Sequence, residues 1–238
     1  MRRSTIHNRP HARGGARGWL GRFHVAGRRL AGTNGSRYSA TLFASAYPEV
    51  ALARTKSSNI SPAIRKRAAK IKVVLMDVDG TLTDGSVTLL SQPDGSALEI
   101  KTFDAHDGQG ISLARTAGLQ MGVITGRESA ALRRRMKELN VEFVYEKQAH
   151  KIAAFEEILK KAGVAESEVA FLGDDLPDLT VMHRVGLAVA VGNAAPEVKK
   201  AAHYTTARNG GKGAARELVE LVLRAKGIWE EMIDKARA

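Results

Sequence analysis

The chain has 238 residues, enough for one α/β domain with additional segments. Its content of hydrophobic residues, 44%, is ordinary for a globular protein, and no apolar run approaches the roughly 18 residues that a membrane-spanning helix needs. The absence of cysteine excludes disulfides, thiol catalysis and metal sites with cysteine ligands. It also fits a reducing compartment, so we expect a cytoplasmic protein with no membrane partner.

The net charge of +12 is unevenly distributed along the chain. Residues 1–70 hold 15 Lys and Arg and one acidic residue, Glu49, which gives +14, whereas residues 71–238 hold 22 Lys and Arg and 24 Asp and Glu, which gives −2. A basic patch is the electrostatic mark of nucleic-acid binding, but here it lies outside the part with the pattern of a folded domain. We therefore expect no nucleic-acid partner for that domain.

Residues 1–59 are rich in Arg, Gly, Ser and Ala and show no sustained apolar period, which predicts a basic, largely disordered extension. Three explanations stay open: a targeting peptide, a basic arm for nucleic acid or membrane, or a start site assigned too far upstream. We favour the third, because an ordered start is predicted near Ile60, before a short basic helix from Ala63 to Lys70. The folded domain is predicted over residues 60–238.

From residue 71 onward strand and helix patterns alternate, which predicts a Rossmann-like α/β fold, a parallel sheet with helices on both faces. Apolar runs predict strands at 71–77, 120–124, 142–145, 169–172 and 187–191. Helical periods predict helices at 107–117, 128–139, 150–162, 175–184, 195–201 and 213–224, the last with a potential extension to 236.

Two carboxylates follow the first predicted strand, Asp77 and Asp79, with Gly80 directly after them. Strand alternation points both to one side, where two like charges need a cation or a shared proton. Open α/β sheets bind ligands at the carboxyl ends of their strands, so this edge is the predicted active site. Two solvated aspartates at the end of a strand are the alternative.

Residues 85–103 interrupt the alternation of strands and helices. Two extended arms flank Pro93-Asp94-Gly95, a strong turn signal, and predict a β-hairpin flap in place of a cap domain. This hairpin is too small to close over a substrate alone, and the link between Thr125 and Lys151 leaves no room for a separate lid. A site that excludes water with so little cover needs a neighbouring subunit, so we expect an oligomer.

Two further polar groups follow later strands. Thr125 and Gly126 come directly after the strand at 120–124, where a hydroxyl and backbone N–H groups can cradle a phosphate; an ordinary helix cap is the alternative. Lys151 lies near the start of the next predicted helix. It either neutralises phosphate or carboxylate charge, or it is a solvated surface lysine.

Three carboxylates, Asp174, Asp175 and Asp178, follow the strand at 169–172. Such a cluster is costly without a cation, and with Asp77 and Asp79 it forms an oxygen-rich site suited to Mg²⁺. An Asp-rich loop that caps a helix is the alternative. In combination, these groups predict phosphoryl transfer through an aspartyl-phosphate.

Each group has a predicted role in that reaction. Asp77 attacks phosphorus, and Asp79 protonates the leaving oxygen and then deprotonates the hydrolytic water. Thr125 and Lys151 hold the phosphoryl oxygens. Asp174 completes the metal site, and Asp175 or Asp178 supports the metal ligands without binding the metal itself.

In this order, the motifs resemble those of the haloacid dehalogenase (HAD) superfamily of phosphohydrolases: Asp77-x-Asp79-Gly80-Thr81, Thr125, Lys151 and Gly173-Asp174-Asp175-x-x-Asp178. The resemblance covers residues 71 to about 226. It implies a HAD-like fold with Mg²⁺ as the cofactor. The implied metal ligands are the side chain of Asp77, the backbone carbonyl of Asp79, and Asp174.

The short hairpin and the segments 103–111 and 210–217 further resemble the 3-deoxy-D-manno-octulosonate 8-phosphate (KDO-8-P) phosphatases. This resemblance implies release of phosphate from KDO-8-P for lipopolysaccharide biosynthesis, by a homotetramer whose neighbouring subunits help to cover the site. It makes Lys212 a candidate contact with a neighbour's site, with a solvated loop lysine as the alternative. It places substrate contacts on Asp79, Asp104, Ala105, His106, Asp107, Gly108, Gly126, Arg127, Arg135 and Lys151.

Two positions depart from the pattern of these phosphatases: His106 stands where an arginine is expected, and Ser112 where another basic residue is expected. An imidazole can donate a hydrogen bond to a carboxylate, so His106 can replace the arginine in part. Because KDO-8-P carries a phosphate and a carboxylate, the missing basic groups leave a related eight- or nine-carbon sugar-acid phosphate as the alternative substrate. A non-catalytic module is a further alternative, but it should lack part of the catalytic set, which is complete here.

Overall fold

Parallel strands form the central sheet in the computed structural model, which describes residues 60–237. The predicted extension at 1–59 lies outside the described residues. The strands are β1 (Val73–Met76), β2 (Thr88–Ser91), β3 (Ala97–Ile100), β4 (Gln120–Ile124), β5 (Phe143–Tyr145), β6 (Val169–Gly173), β7 (Leu187–Ala190) and β8 (Tyr204–Thr205). The helices are α1 (Pro62–Ala69), α2 (Ala105–Thr116), α3 (Ala130–Glu138), α4 (Ile152–Ala162), α5 (Leu179–Met182), α6 (Pro196–Ala201), α7 (Ala214–Ala225) and α8 (Trp229–Arg237).

The strand order of the main sheet is β5-β4-β1-β6-β7-β8, with every pair parallel. The chain runs outward from β1 through β4 to β5, and then crosses back to place β6 on the other side of β1. This reversal makes the carboxyl end of β1 the topological switch point, where α/β sheets of this type bind ligands. The predicted α/β fold class, with a doubly covered parallel sheet, is confirmed.

The core consists of the sheet and the helices that cover it. Every residue of β1, β6 and β7 is buried, as expected for parallel strands covered on both faces. Helices α1 and α2 pack against α7, and α5 packs against α4 and α6. In α4, Phe155 and Ile158 are fully buried, so this helix has an apolar face in the core. Burial of one such side chain is worth about 1.5–3 kcal/mol.

Most predicted elements lie within two residues of those in the structure, and three details differ. The predicted helix at 175–184 is a 3₁₀ turn, Leu176–Asp178, followed by the short α5. The potential extension of the last helix to 236 is a separate helix, because Gly227 adopts a left-handed conformation with φ of 76° between α7 and α8. The two-residue β8 has too little sequence pattern to be predicted.

The predicted hairpin is present as the antiparallel pair β2 and β3. Its turn contains Gly95 at φ of 82°, and the Gly95 N–H donates to the carbonyl of Gln92 at 3.0 Å. The hairpin exposes several apolar side chains. Among the described residues, none of the helices has the length and the apolar content required to cross a bilayer.

Candidate active site

The catalytic candidates meet at the switch point because of the strand register. Met76 of β1 pairs with Val123 of β4 and with Leu172 of β6. The residues that follow these strands therefore leave the sheet at the same edge, and Asp77 continues the ladder by donating its N–H to the carbonyl of Leu172 at 2.9 Å. Three loops, beginning at residues 77, 125 and 174, thus border one site.

Lys151 is enclosed by carboxylates at the centre of this site. Its ammonium is ion-paired with Asp77, and it donates to Asp178 Oδ1 at 2.7 Å. The side chains of Lys151 and Asp178 are only 3% and 2% exposed. The solvated-surface alternative for Lys151 is therefore wrong, because a lysine buried to this degree needs paired acidic groups around it.

The loop after β6, which Asp178 stabilises, holds the carboxylate of Asp174 in place. Asp178 Oδ2 accepts hydrogen bonds from the N–H groups of Asp174 at 2.9 Å and Asp175 at 3.3 Å. The tight 3₁₀ turn explains this geometry, since it folds Asp178 back beneath the end of β6. Thr81 Oγ1 donates to Asp174 Oδ1 at 2.8 Å and fixes its carboxylate beside Gly80, where any Cβ would collide with it.

Asp77, Asp174 and Asp178 form a cluster in which one carboxylate oxygen of each residue lies within 4.8 Å of the others. Burial raises the pKa of Asp77 to about 7, with Lys151 opposing the shift and Asp178 adding to it. Burial likewise raises the pKa of Asp174 to about 6. Burial alone would lower the pKa of Lys151, but the charges of Asp77 and Asp178 outweigh it and raise that pKa.

These residues fit a hard divalent cation. The cluster offers only carboxylate oxygens as ligands. Burial disfavours the negative charges of Asp77 and Asp174, and this is why their pKa values are raised. The cluster contains Asp77 and Asp174 of the predicted ligand set. It also contains Asp178, for which the sequence predicts only a supporting role. Asp175 lies apart from it as an exposed cap that accepts a hydrogen bond from the N–H of Leu176 at 2.8 Å.

Asp79 lies beside the hairpin, in a second group of charges. Its carboxylate is ion-paired with Lys101, which follows β3, and Arg127 Nε is 3.9 Å from its Oδ2. Arg127 also donates through Nη2 to Glu99 Oε1 at 2.9 Å. The structure thus places two predicted site residues, Asp79 and Arg127, next to each other.

Thr125 is buried at the end of β4, and Gly126 after it is exposed. Thr125 Oγ1 accepts a hydrogen bond from the N–H of Arg127 at 3.3 Å, as in a capped turn. Its N–H and carbonyl are bonded to Tyr145 and Gln148, so the backbone of this turn is fixed from both sides.

The segment predicted to contact substrate forms the start of α2. Asp104 is the helix cap and accepts hydrogen bonds from the N–H groups of His106 at 2.6 Å and Asp107 at 3.3 Å. Ala105 and His106 are exposed, with the His106 side chain 75% exposed. Gly108 is buried beneath the guanidinium of Arg135, so these two predicted contacts lie together.

Asp107 points toward α7. The side chain is buried, and its two oxygens accept hydrogen bonds from the N–H of Gly213 at 3.1 Å and of Arg216 at 2.9 Å. Burial raises its pKa, against the effect of these hydrogen bonds. In this structure Asp107 therefore caps the first turn of α7 and supports the loop that carries the exposed Lys212.

Sequence reasoning missed three residues that contact the site: Thr81, Glu99 and Lys101. Thr81 belongs to the first motif and could have been assigned from its place there. Glu99 and Lys101 lie on the hairpin, and only its folding toward the switch point brings them near Asp79.

The haloacid dehalogenase-like hydrolase family matches residues 141–218 of the chain. The 3-deoxy-D-manno-octulosonate 8-phosphate phosphatase KdsC of Salmonella typhimurium is 38% identical over 172 residues, 72% of this chain and 89% of the relative. The crystal structure of a probable YrbI family phosphatase from Pseudomonas syringae has 42% identity and a TM-score of 0.70, over 75% of this chain and 99% of that one. The KDO-8-P phosphatase of Moraxella catarrhalis, solved with a magnesium ion, a phosphate ion and KDO, has 36% identity and a TM-score of 0.68, over 73% of this chain and 97% of that one.

The sheet and the carboxylates at its switch point, taken with these similarities, define a haloacid dehalogenase-like hydrolase of the phosphatase type. The resemblance drawn from the motifs is therefore confirmed. Within this class the chain belongs to the family of the KdsC and YrbI phosphatases.

We predict that Asp107→Ala lowers the free energy of unfolding by about 1–3 kcal/mol, because two buried N–H groups lose their acceptor. Asp107→Asn keeps one acceptor oxygen, so its free energy of unfolding should lie between those of Asp107→Ala and the wild type. Urea unfolding followed by circular dichroism measures the effect, with Glu197→Ala, at an exposed position of α6, as the control. An unchanged unfolding midpoint in Asp107→Ala would show that the cap contributes nothing to stability.

Proposed function

We propose that the protein is a Mg²⁺-dependent phosphomonoesterase that works through an aspartyl-phosphate on Asp77 and hydrolyses a sugar-acid phosphate, KDO-8-P in the first place. The observation that carries this proposal is the buried ion-pair cluster of Lys151 with Asp77 and Asp178 at the switch point, next to Asp174. The KDO-8-P phosphatases of the same family support the choice of substrate. Lipopolysaccharide biosynthesis in the cytoplasm is the corresponding setting.

In the first step an Asp77 oxygen forms a bond to phosphorus while the ester P–O bond breaks. The electron pair of that bond goes to the leaving oxygen, which takes a proton from Asp79. In the second step Asp79 takes a proton from water, whose oxygen bonds to phosphorus as the bond to Asp77 breaks and returns its electrons to that carboxylate. Mg²⁺, held by the side chains of Asp77 and Asp174 and the backbone carbonyl of Asp79, would neutralise charge on the phosphoryl group.

Lys151 and Thr125 would hold the phosphoryl oxygens, and Asp178 keeps the Lys151 ammonium in place through its 2.7 Å contact. Asp175, exposed beside the metal ligand, would support the loop. The sugar acid would lie beside Gly126, Arg127 and Arg135. It would also reach the start of α2, which contains the remaining predicted contacts: Asp104, Ala105, His106 and Gly108. Asp107 would act there through the helix that it caps.

A second candidate substrate is a related nine-carbon sugar-acid phosphate. The observation that favours it is His106, which replaces an expected arginine, is 75% exposed and lies 3.6 Å from Asp104. An imidazole N–H offers one hydrogen bond to the KDO carboxylate, whereas a guanidinium would offer two parallel ones, so recognition is weaker. A substrate screen distinguishes the two candidates.

We also propose a homotetramer in which hairpins contact neighbouring subunits. Leu90 pairs with Leu98 across the hairpin, and with Ile100 they form one face whose members are 53%, 56% and 49% exposed. Exposed apolar ribbons of this kind mark interaction surfaces. Lys212, whose side chain is exposed between buried glycines, would contact a neighbour's site.

Phosphate release from a panel of sugar phosphates with Mg²⁺ tests the proposed function. We expect the highest kcat/KM for KDO-8-P, and loss of more than about 10³-fold of that activity in Asp77→Asn, because the nucleophile is removed. The circular dichroism spectrum of this variant should match that of the wild type. Wild-type rates in folded Asp77→Asn would contradict the covalent mechanism, and a clear preference for a nine-carbon acid would favour the second substrate.

Mg²⁺ should stabilise the protein more at about pH 8 than at about pH 5.5. The pKa values of Asp77 and Asp174 in the folded protein, about 7 and about 6, exceed the ordinary value of 3.8. Their stabilising contribution is therefore present at low pH and is lost as pH rises through 6 to 7, when charges appear that Mg²⁺ neutralises. Thermal unfolding with and without Mg²⁺ at each pH measures the shift, and equal shifts at both values would contradict the assignment of these ligands.

The charged substitution Leu98→Lys should reduce the oligomer to smaller species, because it places a charge on the apolar face of the hairpin. Light scattering after size-exclusion chromatography gives the mass. Thr88→Lys, at a polar position of the same face, serves as a milder control. An unchanged tetrameric mass in Leu98→Lys would remove this face from the subunit interface, and a monomeric wild type would end the proposal.

A further inference from the structure

A buried lysine on the hairpin contacts the carboxylate that the proposed mechanism uses for proton transfer. Lys101 directly follows β3, and its side chain is only 4% exposed. Its ammonium is ion-paired with Asp79, and it lies 3.4 Å from Glu99 Oε1. Burial of a lysine is costly unless acidic groups surround it, so the burial of Lys101 depends on its contacts with Asp79 and Glu99.

Lys101 is one of four side chains that close a ring of alternating charge. Lys101 links Asp79 to Glu99, and Glu99 accepts a hydrogen bond from Arg127 Nη2 at 2.9 Å. Arg127 Nε completes the ring at 3.9 Å from Asp79 Oδ2. The ring joins the hairpin to the loops after β1 and β4, so its geometry is fixed from three sides, and it is electrically neutral when all four side chains are ionised.

The two oxygens of Asp79 have different surroundings. Oδ1 is held by Lys101, whereas Oδ2 is buried and has no hydrogen-bond partner among residues 60–237. Buried polar atoms without partners are rare and call for an explanation in function. A carboxyl group that delivers a proton needs one oxygen fixed for orientation and the other without a hydrogen bond. The structure shows this division, with Arg127 Nε 3.9 Å from Oδ2 and no hydrogen bond to it.

We propose that Lys101 is the positioning residue for Asp79: it fixes Oδ1 and thereby orients Oδ2 for proton transfer. This inference rests on the proposed function. In the step concerned, the P–O ester bond breaks with its electron pair going to the leaving oxygen, and the Asp79 carboxyl supplies the proton to that oxygen. The hairpin would thus supply a group on which the chemistry depends, in addition to covering the site.

The dependence of rate on the leaving group tests this role. Phenyl phosphate and 2,4-dinitrophenyl phosphate both have aryl leaving groups, but the dinitrophenolate departs without a proton, whereas the phenolate needs one. The ratio of kcat/KM for the two esters therefore reports proton donation in the first step, independently of hydrolysis of the aspartyl-phosphate. Lys101→Met removes the charge at nearly constant length, and Lys161→Met makes the same change at an exposed ion pair with Glu157.

We expect Lys101→Met to lower kcat/KM for phenyl phosphate by about 10–10²-fold and for 2,4-dinitrophenyl phosphate by less than about 3-fold. Lys101→Arg, which keeps the charge, should recover part of the loss, and Lys161→Met should match the wild type. Equal losses on both esters in Lys101→Met would overturn the inference, because a merely structural role affects both alike. Should Lys101→Met fail to fold, Lys101→Gln, which can still donate a hydrogen bond, should show the same selective loss in smaller degree.

Asp79→Asn separates failure of this inference from failure of the proposed function. If Asp79→Asn shows the selective loss on phenyl phosphate and the folded Lys101 variants do not, Asp79 is the proton donor and Lys101 does not position it. If Asp79→Asn shows no selective loss, the proton-transfer step of the proposed function is wrong, and the inference fails with it.

Discussion

The structure depends on the ion pairs that Lys151 makes with Asp77 and Asp178 beneath the edge of the sheet. Both Lys151 and Asp178 are almost completely withdrawn from solvent, so neither charge would be tolerated there without the other. Three clustered carboxylates face one ammonium, which leaves two negative charges when all are ionised. One divalent cation would balance these two charges. Burial, with a smaller contribution from the charge of Asp178, raises the pKa values of Asp77 and Asp174.

The topology of the sheet brings these groups together with little additional structure. Parallel strands β1, β4 and β6 end in register at the switch point, and each is followed by a short loop that carries one or two of the polar groups. The loop after β6 is stabilised by Asp178, which bonds to two backbone N–H groups and to Lys151 at once. A single carboxylate therefore links the fold of this loop to the position of the ammonium.

The fold and the central cluster were predictable from the sequence because both follow from local pattern. Apolar runs that end in Asp77, Thr125 and Asp174 identify strands and their active edge together. The contacts of Asp107 and Lys101 were not predictable in this way, because they join segments far apart in sequence. Asp107, a predicted substrate contact, also caps α7 over 100 residues later in the chain, and Lys101 reaches Asp79 only through the direction in which the hairpin folds.

A crystal structure with Mg²⁺ and beryllofluoride, which mimics a phosphoryl group on a carboxylate, tests the central claim most directly. The account predicts beryllium bonded to an Asp77 oxygen, with the Lys151 ammonium on a fluorine and Mg²⁺ between the carboxylates of Asp77 and Asp174. Beryllofluoride on a different side chain, or Mg²⁺ bound away from both aspartates, would contradict it.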